Sequence, residues 1–230
     1  MSAHLHVYGI DTRDAATLSQ PFFCFIPASE WQRINTLKRP EDQINRKVAY
    51  AALYRLVHQM TGVPPEQINI VRSAQGKPFL RLPANVEPIH ISLSHSGHCV
   101  VLALGPCPIG VDVEQIRPLD VSMFQRDYFP RDTLNSTDSL LSLLTLWTHK
   151  EACLKAVGTG LHLAPDLLVM HAPSCDFQPL SDWPKGHGFG EIRVAKLPMP
   201  EGYVAAIAAL HASPQASMKY LDYAALQSLA

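Results

Sequence analysis

Trp147-Thr148-His149-Lys150-Glu151-Ala152-Cys153-Leu154-Lys155-Ala156-Val157-Gly158-Thr159-Gly160-Leu161 reads as the second half of a helix and its stop signal. Leu146, Leu154 and Val157 make the helix mostly apolar, and Gly158 and Gly160 punctuate its end, as a helix C-terminus favours. Glu151 and Lys155 stand one turn apart on one face, with Trp147 on the same stripe. Two readings are open. An exposed pair of this kind stabilises a helix by about 0.2–0.5 kcal/mol, with Lys150 solvated beside it. A charged pair on a mostly buried helix instead costs desolvation and marks a site.

Working back along the chain, the helical pattern begins at Ser139, behind a polar stretch, Pro130–Asp138, and a shorter helix, Val121–Tyr128. Upstream of these, Ile109–Glu114 alternates as a strand, and Gly105-Pro106-Cys107-Pro108 reads as a linker. The region before the linker carries a strand at His4–Ile10 and a helix from Ser29 as N-cap through Glu30–Leu37. A stronger helix runs from Asp42 to about Met60, with Gly62 ending it. Ile68–Arg72 reads as a strand, Ser73–Pro78 as a turn, and Ile89–Leu93 and Cys99–Leu104 as strands around a tight Ser94-His95-Ser96-Gly97 connection. Past the long helix, Val169–Phe177, Gly190–Leu197 and Tyr203–Leu210 read as strands. Helices and strands do not alternate, so a parallel doubly wound sheet is disfavoured. The expected fold is α+β with antiparallel strands in two similar subdomains, 1–106 and 107–230.

The 230 residues are 47% apolar and 17% charged, enough for a sizeable core and too apolar for disorder. Lys plus Arg (19) nearly cancels Asp plus Glu (20), which argues against nucleic-acid binding by bulk charge. Any anionic ligand must be held by a few placed cations. No apolar run reaches the roughly 18 residues of a membrane span, and MSAHLHVYGIDTRD lacks the pattern of a secretory leader. The five cysteines form no C-x-x-C pair and read as reduced thiols, so the expected location is the cytoplasm. His90, His95 and His98 cluster without a second set of zinc ligands.

Two further segments carry possible chemistry. In Gly110-Val111-Asp112-Val113-Glu114, alternation turns Asp112 and Glu114 to one side. Adjacent carboxylates repel unless a cation sits between them or one is protonated, but a solvated strand end would also tolerate them. In Ile91-Ser92-Leu93-Ser94-His95-Ser96-Gly97, a histidine in a Ser/Gly turn would present its ring and several backbone N–H groups to a phosphate. The same hydroxyls could simply satisfy the turn.

Together, Gly76-Lys77-Pro78, Ser94–Gly97, Gly110–Glu114 and Trp147–Leu161 resemble, in order, the motifs of the 4′-phosphopantetheinyl transferases of the larger, surfactin-synthetase-type class. The resemblance covers about Trp31 to Leu161, and the long helix motif is its most specific part. It implies a pseudo-twofold pair of α+β subdomains. It also implies transfer of the phosphopantetheine arm of coenzyme A to a serine of an apo acyl or peptidyl carrier protein, with release of adenosine 3′,5′-bisphosphate.

By the same resemblance, Asp112, Glu114 and Glu151 would hold Mg²⁺, with Mn²⁺ as a substitute, and splitting a diphosphate suits hard oxygen ligands. Glu151 would also take the serine proton, and Lys155 would neutralise charge on the diphosphate. Arg46 and His95, with the Ser94 hydroxyl, would bind the 3′-phosphate, while Lys77 and Pro78 would pack along the adenine. Arg33, Lys38 and Arg39 align with family lysines only through a gap and stay outside the site. The carrier is expected to dock near Phe124, Arg126, Phe129 and Arg131, on a monomeric enzyme with no nucleic-acid or membrane partner. Two other classes compete: a Mg²⁺-dependent nucleotide hydrolase, which leaves the S-H-S-G and G-K-P turns unexplained, and a non-catalytic carrier binder, which leaves the intact carboxylates unexplained.

Overall fold

A computed structural model describes residues 3–15, 18, 20–129, 139–170, 174–180, 190–211 and 213–229. In chain order the elements are β1 (Ala3–Asp11), α1 (Ala28–Asn35), α2 (Pro40–Thr61), β2 (Asn69–Arg72), β3 (Pro78–Arg81), β4 (His90–Ser96), β5 (Cys99–Gly105) and β6 (Ile109–Gln115). They continue as α3 (Val121–Tyr128), α4 (Ser139–Val157), β7 (Gln178–Pro179), β8 (Arg193–Leu197), β9 (Tyr203–Ala209), β10 (Pro214–Leu221) and α5 (Tyr223–Ser228). The fold is α+β, as the sequence implies.

One topology runs twice. β1 is followed by helices and then by the hairpin β4–β5, whose second strand returns antiparallel to β1. β6 is likewise followed by helices, and then by β8 and β9, with β9 antiparallel to β6. The sheets are therefore ordered β10-β1-β5-β4 and β6-β9-β8-β7, with β2–β3 as a separate two-stranded ribbon. β10 departs from the expected antiparallel pattern, because it lies parallel to β1.

The two sheets pack face to face, with α2 outside the first and α4 outside the second. β5 shows the consequence of being covered on both sides. Val100, Leu102 and Leu104 join the α2 core, while Cys99, Val101 and Ala103 join the core between the sheets. On β9, Ala205, Ile207 and Ala209 face that inner core, and Ala206 and Ala208 face α4. Such double burial explains why both strands read as continuous apolar runs.

Local chemistry sets the helix limits. α2 has Pro40 in its first turn and ends at Gly62 (φ +70°), whose N–H donates to the His58 carbonyl. α1 is capped by Pro27, not by Ser29, which lies inside the helix. Of the strand expected at Val169–Phe177, residues 171–173 lie outside the described set; among the described ones only Val169 makes a bridge, and the second sheet takes up the short β7 just beyond. Lys150 is not solvated; it is fully buried, donating to the Tyr128 carbonyl (3.2 Å) with its ammonium 4.4 Å from the Phe129 ring centre.

Candidate active site

Ser94, His95 and Ser96 belong to β4 itself, and the turn is Gly97-His98. The expectation of a backbone nest at S-H-S-G is corrected, since these residues pair with Val101, Val100 and Cys99 of β5. Being in a strand gives the motif two faces. Ser92, Ser94 and Ser96 point to one side, His95 to the other.

The serine side meets β6. β4 ends one sheet and β6 ends the other, so no ladder joins them, and hydroxyls make the join instead. The Val111 N–H donates to Ser92 Oγ (3.0 Å), and Ser94 Oγ donates to Asp112 Oδ1 (2.7 Å). Ser96 Oγ donates to Glu114 Oε2 (2.7 Å) and accepts from the Gln115 N–H (3.1 Å). The alternation expected of Asp112 and Glu114 is thus anchored from the opposite sheet.

α4 then brings its charged stripe onto this seam. Gly110 permits the approach, because a Cβ there would lie 2.0 Å from the Ala152 oxygen and 2.4 Å from the Ala156 nitrogen. Lys155 Nζ donates to Asp112 Oδ1 (2.6 Å) and to Ser94 Oγ (2.9 Å). Asp112 is 4% exposed, and its Oδ2, like Glu151 Oε1, is buried with no hydrogen-bond partner among the described residues. Burial raises the carboxyls of both Glu114 and Glu151, the Ser96 bond opposes the rise at Glu114, and Asp112 adds to both. Among the described residues, no three carboxylate, imidazole or thiol groups converge closely enough to enclose a cation as they stand. The donor set nonetheless suits a hard divalent ion, because buried carboxylate oxygens without donors are costly and a cation would satisfy them.

His95 faces α2. Its Nε2 accepts from Arg46 Nε (3.2 Å), and its Nδ1 lies 3.8 Å from Asp42 Oδ1. Burial, then the Arg46 charge, pulls its pKa down to about 4, so the ring is neutral at pH 7. Arg46 opens onto a cleft of about 230 Å³ whose walls include Arg33, Arg72, Lys77, Pro78, Lys155 and Gly158. Arg72 is answered by Glu30 (2.7 and 2.8 Å) and also donates to the Tyr50 hydroxyl. Of Arg33, Lys38 and Arg39, which match the family lysines only through a gap, Arg33 lines the cleft: it lies on α1 next to the buried Ile34. Lys77 lines the cleft by its stem, while its ammonium reaches two backbone carbonyls across it, Ile109 (3.2 Å) and Ala156 (2.7 Å).

One turn before Glu151, Trp147 packs with α3. Its ring centre lies 5.1 Å from Phe124, 5.2 Å from Tyr128 and 6.3 Å from Phe129. Phe129 is only 1% exposed and supports this cluster from beneath, so it cannot be a docking contact. Met123 is exposed on the same helix, and Arg131 lies outside the described residues.

Two family models adjoin on this chain: residues 17–107 match "4′-phosphopantetheinyl transferase, N-terminal" and residues 108–208 match the "4′-phosphopantetheinyl transferase superfamily". The chain belongs to the 4′-phosphopantetheinyl transferases. The join between the two transferase models falls in the Gly105–Pro108 connection between β5 and β6. Among curated transferases, psf-1 of Bacillus pumilus is 33% identical over 118 residues, 46% of each chain. The transferase gsp of Aneurinibacillus migulanus is 29% identical over 52% of this chain and 53% of its own. Sfp of Bacillus subtilis is 24% identical over 90% of this chain and 93% of its own. The chain thus spans about half the length of the first two transferases and nearly all of the third.

Proposed function

We propose that this chain transfers the 4′-phosphopantetheine arm of coenzyme A to a serine of an apo acyl or peptidyl carrier protein. The reading rests on one observation above all: among the described residues, buried Asp112 and Glu151 oxygens without partners stand beside Lys155, and Lys155 in turn lines a cation-rich cleft. The serine oxygen forms a bond to the phosphorus of the phosphopantetheine phosphate. The bond from that phosphorus to the oxygen shared with adenosine 3′,5′-bisphosphate breaks. Glu151 takes the serine proton, and burial strengthens it as a base by raising its carboxyl. Lys155 stabilises charge on the departing diphosphate oxygens. Asp112, Glu114 and Glu151 would hold Mg²⁺, or Mn²⁺ in its place, which when bound supplies neutralisation of the diphosphate.

Arg46 and His95 are assigned to the 3′-phosphate, and Pro78 and the Lys77 stem to the adenine; the Ser94 hydroxyl, expected to join the phosphate site, faces the other side of β4 and bonds Asp112 and Lys155 instead. A dianion beside His95 favours its charged form, opposing the burial that keeps the ring neutral in the free protein. If His95 binds this phosphate, 3′-dephospho-coenzyme A is a poorer substrate for the wild type, and His95→Ala narrows the discrimination by about tenfold. Steady-state kinetics with both substrates measures it. An unchanged ratio in the mutant removes His95 from this role.

The carrier is assigned to α3, with Met123, Phe124 and Arg126 as its contacts; Arg131, the other arginine expected to take part, lies outside the described residues. An apolar patch flanked by arginines suits an acidic amphipathic helix. Arg126→Glu combined with Arg131→Glu should raise KM for the apo-carrier, more at low salt, and leave KM for coenzyme A in place. Parallel movement of both constants, or of neither, sinks the docking assignment.

Among the described residues no helix is long and apolar enough to cross a membrane, and the five cysteines are free thiols. Reduced thiols support action in the cytoplasm, and we take the chain to act there as a monomer with two subdomains, 1–106 and 107–230. Incubation with coenzyme A, Mg²⁺ and an apo-carrier, followed by weighing the carrier, tests the whole reading. A hydrolase consumes nucleotide without changing the carrier's mass, and a binder does neither.

A further inference from the structure

The β2–β3 ribbon forms one wall of the cleft yet shares no ladder with either sheet. Its position must therefore be fixed by side chains. On one side Ile70 and Leu80 pack against the α2 core, and Arg72 pairs with Glu30 of α1. All of these ties hold the ribbon to the N-terminal half. Among the described residues, the hydrogen bonds that tie it to the other half come from Lys77.

The backbone at Lys77 is held in place at the base of the turn. Its N–H donates to Ser73 Oγ (3.2 Å), and its carbonyl accepts from the Ser73 N–H (3.0 Å). From there the side chain crosses to the second half. Nζ donates to the carbonyl of Ala156 (2.7 Å) and to that of Ile109 (3.2 Å). Ala156 lies in the last turn of α4, where carbonyls lack helical partners and the helix dipole favours a cation. Ile109 opens β6, three residues before Asp112. Gly158 ends α4 at φ +83° and leaves the passage open, since a Cβ there would lie 3.0 Å from Lys77 Cδ. The ammonium pays for this position with lost hydration, and burial pulls its pKa down to about 8.

We propose that Lys77 is a latch: by bonding the last turn of α4 and the start of β6, it sets the distance between the ribbon and the second half, and so the width of the cleft. It is a positioning residue, acting on the ligand through the spacing of Gly76 and Pro78 on one wall and Lys155 and Gly158 on the other. The nature of the ligand rests on the function proposed above; the fastening itself does not.

Lys77→Met keeps the stem and removes the donors. In the full chain without any substrate, amide hydrogen exchange should accelerate by about tenfold in residues 73–81 and 154–158, and stay put in the first turns of α4. KM for coenzyme A should rise by about tenfold while KM for the apo-carrier stays within about twofold. Unchanged exchange with a raised KM would mean that Lys77 only touches the ligand, and overturns the latch. Faster exchange with an unchanged KM for coenzyme A overturns its control of the cleft. Lys77→Arg keeps a cation with donors for both carbonyls and should restore wild-type exchange in residues 73–81 and 154–158; if its exchange matches that of Lys77→Met instead, the latch is overturned. The exchange reading needs neither coenzyme A nor carrier, so it stands whether or not transfer is observed.

Discussion

Asp112→Ala is expected to lower phosphopantetheine transfer by about three orders of magnitude while the protein stays folded. Asp112 sits between the Ser94 hydroxyl and the Lys155 ammonium through one oxygen and leaves the other without a donor. Its removal relieves that unsatisfied oxygen and strips the seam of the carboxylate that faces Glu151. Glu151→Gln should be at least as damaging, because it removes an oxygen ligand and the base together. A readout independent of turnover is thermal stability with and without Mg²⁺. Burial raises Glu114 and Glu151, so the folded chain keeps their protons to higher pH than the unfolded chain does. Stability is therefore lost as pH rises from the ordinary carboxylate range through the raised folded-state range, and ionising the pair carries that cost. A divalent ion removes that cost, so Mg²⁺ should raise Tm more at pH 7 than at pH 5, and should not do so in Asp112→Ala. Near-normal turnover by either variant at saturating Mg²⁺ would falsify the assignment of these carboxylates.

Gly110→Ala should damage stability and activity together, through one added methyl. The new Cβ would meet backbone atoms of α4 at 2.0 and 2.4 Å, and backbone cannot rotate away as a side chain can. Overpacking of this kind costs about 1–3 kcal/mol or more, and the helix must retreat to relieve it. That retreat carries Glu151 and Lys155 away from Asp112, and misplacement by about 1 Å is enough to cost about a hundredfold in rate. Gly190→Ala, where an added Cβ meets nothing within 4 Å, is the control and should be neutral in both respects. Thermal denaturation and transfer assays on the two variants decide the matter. Equal behaviour would mean that α4 tolerates a looser seat on β6.

How much of this was legible depended on whether a segment's own pattern matched its burial. β6 alternates and α4 carries a long apolar stripe, so both elements were readable; Asp112, Glu114, Glu151 and Lys155 stood out by spacing, but only the family resemblance joined them into one candidate site. β10 was not readable: its interior is mostly exposed, so an edge strand paired by backbone alone left no hydrophobic signal. Ser94-His95-Ser96 looked like a turn because serine favours turns, whereas its hydroxyls are used to join two strand edges. Lys150 looked solvated because lysine almost always is; only the packing of α3 over α4 shows a carbonyl and a ring waiting for it. Arg33 needed the third dimension, since only the packing of α1 and α2 puts it in the lining of the same cleft as Arg46.

The repeated topology has a consequence for stoichiometry. Two copies of one strand–helix–hairpin plan offer two equivalent meeting lines: the edge of β6 against β4, and the matching edge of β1 against β8. In this chain β10 pairs along β1 and β7 pairs along β8, so both edges of the second line already have neighbours. The first line alone is left without a ladder and is joined by serine hydroxyls under Asp112 and Glu114. On the function proposed above, a molecule built on a doubled plan would therefore take one coenzyme A per chain, and its two halves are no longer interchangeable: one carries the serine hydroxyls and His95, the other the carboxylates and Lys155.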